Sequence, residues 1–223
     1  MLPFSSQKYL VCRTTKILLF LSLLFFILGF FHITNIYLLG EIESLNFLSH
    51  FSLNDEFNAP AFFSSFILLY SALLLGKITF LKRRDRHYYE WAGLSFTFFY
   101  LAVDEAFSIH EGMKYARKIL FLDKDNALYN DAWVFIGMAF LTVFLLIYLR
   151  FLKSLNKRVQ SLFLLSAGIY ILGALGLEII GGYWEFFQGK DFIHAFLVSI
   201  EELLEMFGII LFINTLLGII EET

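Results

Sequence analysis

Segment 104–111, with the sequence DEAFSIHE, places three carboxylates and an imidazole in a stretch otherwise apolar enough to cross a membrane. Ionisable groups in such a position are costly and usually serve a function. Further carboxylates lie in two later apolar stretches, at Glu178 and at Glu201, Glu202 and Glu205. No lysine or arginine lies deep in these stretches, so something other than a basic side chain must neutralise the acids.

Three kinds of chemistry would make these acids tolerable. The carboxyls can share protons, line a hydrated cavity, or bind cations. Oxygen ligands alone suit Mg²⁺, Ca²⁺ or Mn²⁺, whereas oxygen combined with imidazole suits Fe, Mn or Zn. Because His110 and His194 fall in the same layer as the acids, we expect a site for a divalent metal, Fe, Mn or Zn.

The residues predicted to bind this metal come from three helices. They are Asp104, Glu105, His110, Glu111, Glu178, His194, Glu201, Glu202 and Glu205. Behind them, Tyr100 is predicted to donate a hydrogen bond to the site, and Ser108 is predicted to bond its own backbone. His32 lies at a similar depth and is predicted to be structural.

The composition is that of a membrane protein. The chain has 223 residues, of which 59% are hydrophobic and 29 are phenylalanine, and its mean hydropathy is +0.72. Soluble domains are only about half apolar. A net charge of −3 gives no reason to expect a nucleic-acid partner. The single Cys12 excludes an internal disulfide framework and a CxxC metal site.

Six apolar stretches are long enough to span a ~30 Å hydrocarbon core as helices of about 20 residues or more. They run approximately over 15–39, 59–81, 91–113, 131–152, 159–184 and 192–219. The chain is therefore predicted to be all-α, with residues 1–223 forming one polytopic bundle of six transmembrane helices. The first stretch is too long for a signal peptide and lacks a cleavage site, so we expect it to remain.

Basic residues fix the predicted orientation, because cytoplasmic loops carry an excess of lysine and arginine. They precede helix 1, join helices 2 and 3, and join helices 4 and 5: Lys8, Arg13, Lys16, Lys82, Arg83, Arg84, Arg86, Arg150, Lys153, Lys157 and Arg158. Both termini are therefore predicted to be cytoplasmic, in a bacterial inner membrane. Trp91, Trp133 and Trp184 fall at predicted helix ends, as tryptophans at a membrane interface do.

Two predicted external segments, 41–58 and 114–130, mix apolar residues with charges. The first is predicted to contain a short helix around Leu45 to Phe51. Either segment would serve as an ordinary loop, or would lie on the membrane surface over an outward-facing site.

Helical rise brings the acids of three predicted helices to one depth. Asp104 lies ~20 Å along the outward helix 3, while Glu201 and Glu205 lie ~15 and ~21 Å along the inward helix 6. Glu178 falls near the outer end of helix 5. The three groups therefore overlap between the outer surface and the midplane of the membrane.

Helical phase supports the same grouping. Asp104, Ser108 and Glu111 share one face of helix 3, because residues seven apart nearly eclipse. Glu105 and Glu202 lie off the acidic stripes by roughly 100°. We expect them to contact a neighbouring helix or the side of the same cavity.

Three segments, LAVDEAFSIHE, GLEIIGG and SIEELLEMFG, together resemble a type of small bacterial membrane protein, and the resemblance implies no particular activity. The inventory of carboxylates and histidines is that of a dinuclear site in a helical bundle. However, the Glu-x-x-His pairs of ferritin-like di-iron proteins are absent. Alkaline-ceramidase-like membrane hydrolases carry a paired HxxxH on a late helix, which is also absent.

Three functions remain open. The favoured one is a metal-dependent membrane enzyme, an oxidoreductase or a hydrolase, acting on a lipid-like or quinone-like substrate. The alternatives are a cation or proton transporter or channel, and a structural subunit of a membrane complex or a homo-oligomer. The transporter is less favoured because helices 1 to 6 read as continuous and no polar route crosses the inner half.

Overall fold

The computed structural model describes residues 4–109 and 133–223, with side chains described for 13–109 and 134–223. Within these ranges the chain is all-helical. Its seven α-helices are α1 (Phe4–Tyr37), α2 (Ala59–Leu81), α3 (Tyr88–Phe107), α4 (Trp133–Ser154), α5 (Lys157–Ile171), α6 (Glu178–Gln188) and α7 (Phe192–Glu222). A 3₁₀ helix, Glu43–Phe51, follows α1, and a π-helical segment, Leu172–Leu177, joins α5 to α6.

Five described stretches are long and apolar enough to cross a membrane. They are Arg13–Tyr37, Ala59–Leu81, Val134–Ser154, Lys157–Gln188 and Phe192–Glu222. This set of long apolar helices is that of a multi-pass membrane protein. Helix α3 is not among the five, because its 20 residues include the charged side chains of Glu90, Asp104 and Glu105.

Short polar side chains fix where three of these helices begin. Asn58, Asn156 and Asp191 each accept a hydrogen bond from a backbone N–H one turn into α2, α5 and α7, at 3.2, 2.8 and 2.9 Å. Such N-caps satisfy amides that have no partner within the helix. Because Asp191 sets the start of α7, it also sets the direction in which the α7 carboxylates point.

Helix α3 ends earlier than the predicted 91–113. Its last residue is Phe107, and Ser108 adopts a left-handed conformation with φ 48° and ψ 45°. A non-glycine residue rarely takes this conformation, and it cannot continue a right-handed helix. The left-handed Ser108 interrupts the regular helix along which Asp104 and Ser108 were predicted to share a face with Glu111. Glu111 itself, like His110, lies outside the described residues.

Helix α7 occupies the centre of the bundle, in contact with α1, α2, α5, α6 and the π segment. Its residues Ile210, Ile213 and Leu216 are almost completely buried. Across from them, Ile67 and Leu75 of α2 are fully buried in the same core. Burying large aliphatic side chains on every side holds α7 in place as the element around which the acids are arranged.

Serine hydroxyls join α2 to α3. Ser65 Oγ donates to the carbonyl oxygen of Ala102, and Ser95 Oγ donates to that of Ala72, both at 2.8 Å. Small hydroxyl residues allow close helix approach and form interhelical bonds in apolar surroundings. The pairing orients the end of α3 that carries Asp104.

Backbone meets backbone where α7 crosses α5 and the π segment. A Cβ added to Gly208 would lie 2.8 Å from the Tyr170 nitrogen, and one added to Gly173 would lie 2.8 Å from the Glu201 carbonyl oxygen. Both distances are too short for a real side chain, so only glycine fits. This crossing presses the acidic turn of α7 against the segment that precedes Glu178.

Trp91, near the start of α3, turns its side chain into the bundle. Its side chain is 2% exposed, and its ring packs edge-on against Phe151 with the centroids 4.9 Å apart. Phe163 packs on it as well. The residue therefore belongs to the core that closes one end of the bundle between α3, α4 and α5.

The segment between α1 and α2 folds back onto α1. The predicted short helix is present as the 3₁₀ helix Glu43–Phe51, and Leu48 and Leu53 are buried. Asn35 Oδ1 accepts a hydrogen bond from the Ile42 N–H at 3.0 Å. This packing positions Glu56, five residues beyond the 3₁₀ helix, close to the end of α3.

Candidate functional site

A cavity of about 340 Å³ lies between α3, α4, α5 and α7. Its acidic lining residues come from four parts of the chain: Glu56, Asp104, Glu105, Glu178, Glu201, Glu202 and Glu205. The remainder of the lining is largely aromatic and aliphatic. No lysine, arginine or histidine belongs to the lining formed by the described residues.

Six of the nine residues predicted to bind metal lie on this lining. They are Asp104, Glu105, Glu178, Glu201, Glu202 and Glu205. The predicted lateral position of Glu105 and Glu202 corresponds to the side of the same cavity. The depth and the rotational position of these residues along their separate helices therefore identified side chains that line the same cavity.

Glu201 is the most deeply buried of these acids. Its side chain is 8% exposed, and its carboxyl group forms a hydrogen bond with that of Glu178. The second oxygen, Oε2, is buried and has no hydrogen-bond partner among the described residues. A hydrogen bond between two carboxyls requires a proton on one of them. The contact with Glu178 therefore leaves the Oε2 oxygen of Glu201 without a protein partner among the described residues.

The π segment delivers Glu178 to this contact. Residues Leu172–Leu177 form wide i→i+5 turns, and Glu178 follows immediately. Such turns are rare within α-helices and are frequent at functional sites. The helix was predicted to be continuous, but the wide turn re-aims every side chain beyond it. Gly173 and Gly176, spaced three apart before the acid, were the sequence signal.

Tyr170 is a site residue that the sequence reasoning missed. It lines the cavity, and its phenol lies in the electrostatic field of Glu205, Glu105, Glu202 and Asp104. Its position two turns before Glu178 was the signal that could have identified it. The phenol is the group on this lining best suited to donate a hydrogen bond to an ionised carboxylate.

Glu56 is the second residue that was missed. It had been assigned to an acidic external loop, yet it lines the cavity and accepts a hydrogen bond from Ser108 Oγ at 2.8 Å. Ser108 was predicted to bond its own backbone, and this prediction is wrong. Phe57 also has a positive φ, 58°, so the backbone is strained on both sides of this contact. Strain of this kind concentrates at functional sites.

His194 lies apart from the cavity lining. Its Nε2 is 3.5 Å from Glu185 Oε2, and Lys190 Nζ is 3.7 Å from Glu185 Oε1. These residues form a polar rim at the turn between α6 and α7. In the same turn, the backbone N–H of His194 lowers the pKa of Asp191, and the Trp184 indole, bonded at 2.9 Å, contributes to the lowering.

The other predicted residues are distributed as follows. Tyr100 is 44% exposed and is not among the residues that line the cavity. His110 and Glu111 lie outside the described residues. His32 is buried, with the charge of Asp55 nearby, and it is not part of the lining either.

The apolar part of the cavity extends far from the acids. On α4 the lining residues follow one face from Gly137 to Leu152, a distance of ~22 Å at the α-helical rise. On α5 they begin at Phe163, fifteen residues before Glu178. The cavity is therefore elongated, with carboxylates at one end and Tyr148, Phe151 and Phe163 at the other.

The donors offered to a cation at the acidic end are carboxylate oxygens. In the ranges 4–109 and 133–223, no three acidic, histidine or cysteine side chains already stand together as a metal-ligand set. The orphaned Glu201 oxygen and the carboxyls around it nevertheless supply the chemistry that hard divalent cations prefer.

The cavity has carboxylates at one end and lies inside a bundle of long apolar helices. These features place the chain in the class of helical multi-pass membrane proteins with a buried carboxylate site. Residues 16–219 match the family described as Domain of unknown function (DUF8692), and the chain belongs to that family. No curated protein and no solved structure matches the chain.

Proposed function

We propose that the protein is a membrane-embedded metalloenzyme, an oxidoreductase or a hydrolase, that acts on a lipid-like or quinone-like substrate. The observation that carries the proposal is the buried Glu201 oxygen without a hydrogen-bond partner among the described residues. It belongs to a cavity that receives six further carboxylates. Buried acids at this density require protons or a cation.

The donor set favours a particular metal. Among Fe, Mn and Zn, manganese is the one equally suited to an all-oxygen site. Glu178, Glu201, Glu205 and Asp104 would hold it after their side chains turn inward from the described arrangement. Iron or zinc would call for an imidazole, for which His110 is the candidate because it follows α3 by three residues.

A bound divalent metal would supply Lewis-acid activation of a substrate oxygen or a water molecule. The chain itself contributes three things. The Glu178–Glu201 pair would share a proton when the metal is absent, because two carboxyls in contact repel each other when both are ionised. The Tyr170 phenol lies among the carboxylates, where it can stabilise whichever of them is ionised. The apolar walls exclude water, which strengthens each electrostatic interaction inside.

In the proposed topology α3 also spans the membrane, which brings the number of membrane-spanning segments to six. Both termini are cytoplasmic, and the protein lies in a bacterial inner membrane. The basic residues before α1 and in the α2–α3 and α4–α5 connections support this orientation. The acidic end of the cavity then lies in the outer half of the bilayer, and the three charged residues of α3 are tolerated because two of them face the cavity.

Metal analysis of purified protein tests the proposal. After expression with added manganese and purification without chelators, we expect about one bound equivalent or more. Glu201→Gln should reduce metal affinity by more than about tenfold. Glu185→Gln serves as the matched control, because Glu185 lies in the polar rim and not on the cavity. Less than one equivalent, with no difference between the two variants, would contradict the proposal.

One observation favours the transporter as a second candidate. The π segment interrupts a span immediately before a buried acid, and irregular helices at ion sites are typical of transporters. Flux of Mn²⁺ or protons into proteoliposomes, lost in Glu205→Gln and retained in Glu185→Gln, would favour transport over catalysis.

A further inference from the structure

Basic side chains from two connections meet at the end of the bundle that lies away from the acidic end of the cavity. The His87 ring of the α2–α3 connection packs against Phe151 of α4, with the centroids 5.6 Å apart. Tyr148 Oη donates a hydrogen bond to the Glu90 carbonyl oxygen at 3.2 Å. These contacts bring the two connections together into one basic patch, formed by Lys82, Arg83, Arg84, Arg86, Arg150, Lys153, Lys157 and Arg158.

The acids nearest to this patch in sequence are Asp85 and Glu90, and both bond to His87. Asp85 Oδ1 accepts from the His87 backbone N–H at 2.8 Å, and Glu90 Oε1 lies 3.1 Å from His87 Nδ1. Arg86 Nε donates to Nε2 of the same ring at 2.8 Å, so Nδ1 carries the proton that is donated to Glu90. Among the described residues, none of the eight basic side chains forms an ion pair with a carboxylate. The patch therefore presents its positive charge to the surroundings.

The depth of the basic patch is that of lipid head groups. It begins at the residue after the apolar span of α2 and continues at the junction between the spans of α4 and α5. Beside it, Phe80 is 68% exposed and Tyr89 is 81% exposed, and the Arg83 guanidinium lies 5.4 Å from the centroid of the Phe80 ring. Exposed aromatic rings next to cations are typical of the membrane interface. A soluble acidic partner would not call for such rings.

We infer that the basic patch binds the head group of an anionic phospholipid from the leaflet on this side of the membrane. Lysine and arginine donate charge-assisted hydrogen bonds to phosphate oxygens, and the planar guanidinium can do so with two N–H groups at once. A head group that contacts both connections would hold α4 against α3, as the Tyr148 hydroxyl already does. The patch lies outside the cavity, so lipid binding there is independent of a bound metal.

Two other basic residues separate lipid binding from the general effect of positive charge on orientation. Arg13 and Lys16 are exposed. They lie at the same end of the bundle, because Thr15 Oγ1 donates to Asn214 Oδ1 near the end of α7, and the start of the antiparallel α5 lies beside that end. They belong to neither connection of the basic patch. Their removal lowers the positive charge of this side without changing the patch.

A matched pair of double variants tests the inference, since each removes two exposed positive charges. Arg84→Gln/Lys153→Gln takes one charge from each connection and should weaken binding of short-chain phosphatidylglycerol by at least about tenfold. Arg13→Gln/Lys16→Gln should bind this lipid within about twofold of the wild type. Native mass spectrometry of the lipid-bound protein measures the affinities. Equal weakening in the two variants would show that the positive charge acts diffusely and would contradict a binding site.

A measurement on the unmodified protein keeps the test independent of the folding and insertion of the variants. In uncharged detergent, dioctanoyl phosphatidylglycerol should raise the melting temperature, because a ligand that binds the folded state stabilises it. Dioctanoyl phosphatidylcholine, glycerol phosphate and a short oligonucleotide should not. Equal stabilisation by phosphatidylcholine would overturn the requirement for an anionic head group. Equal stabilisation by glycerol phosphate or by the oligonucleotide would overturn the assignment to a lipid.

Discussion

The Ser108 hydroxyl donates a hydrogen bond to the Glu56 carboxylate across 2.8 Å. This contact joins the end of α3 to the segment before α2, and both partners sit beside left-handed non-glycine backbone. Because Glu56 lines the cavity, the bond ties the α1–α2 connection to the acidic end.

Two substitutions at Ser108 separate the hydrogen bond from the strain. Both Ser108→Ala and Ser108→Gly remove the hydroxyl, which should cost about 1.5–3 kcal/mol for a bond to a charged group. Only glycine adopts the left-handed conformation without penalty, so Ser108→Gly should be about 1 kcal/mol more stable than Ser108→Ala. Reversible unfolding in mixed micelles measures the difference. Equal stability of the two variants would show that the backbone conformation at Ser108 is not strained.

Glycine substitutions test the crossing of α7 over α5. Gly208→Ala places a methyl group 2.8 Å from the Tyr170 nitrogen, and such overpacking should cost about 1–3 kcal/mol. Gly168→Ala is the control, because a Cβ there meets nothing within 4 Å, and alanine in an α-helix should be neutral or stabilising by up to about 1 kcal/mol. Thermal unfolding of both variants checks the prediction. A Gly208→Ala variant as stable as Gly168→Ala would contradict the close approach.

The cap of α7 should give a pH-dependent contribution at acid pH. The backbone N–H of His194 lowers the pKa of Asp191 from its ordinary value of 3.8. The folded state therefore binds this proton less readily than the unfolded state, so the stabilisation is complete above the ordinary value and is lost as pH falls through the lowered one.

Asparagine and alanine at position 191 distinguish charge from capping. Asp191→Asn keeps a side-chain cap, so its melting temperature should stay near that of the wild type at neutral pH and change less between about pH 5 and pH 2. Asp191→Ala should melt at a lower temperature at neutral pH. Melting curves over this pH range decide the point, and a wild type and Asp191→Asn with parallel profiles would contradict the assignment.

The proposed metal site predicts that metal binding releases one proton from the Glu178–Glu201 pair. A hydrogen bond between two carboxyls holds one proton, and a metal ion requires ionised ligands, so the affinity for Mn²⁺ should rise with pH. In Glu178→Gln the amide donates to Glu201 without a shared proton, so one proton fewer should be released. Calorimetric titration in buffers of different ionisation enthalpy measures the number. Equal proton release by both proteins would show that the pair does not take part.

The sequence was sufficient to predict the position of residues that lie on regular helices. Helical rise and phase from the starts of helices 3 and 6 were enough to predict that Asp104, Glu201 and Glu205 would meet. That reasoning assumes an unbroken α-helix. It held along α7, where Asp191 caps the helix and the interior is regular.

Where the helix departs from ideal geometry, the same reasoning was insufficient. Ser108 is left-handed and pairs with Glu56, fifty-two residues away, and no local pattern encodes that partner. The wide turns before Glu178 arise where Gly173 lets the backbone approach the Glu201 carbonyl oxygen. Both departures are tertiary effects, and both fall at the acidic end of the cavity.

The position of a bound metal tests the central claim most directly. Crystals grown with Mn²⁺ and measured at the manganese absorption edge should show an anomalous peak within coordination distance of Glu178 and Glu201, about 2.2 Å, and Glu201→Gln should remove it. A peak at the Glu185 and His194 rim, or none at saturating Mn²⁺, would contradict a metal centre in the cavity.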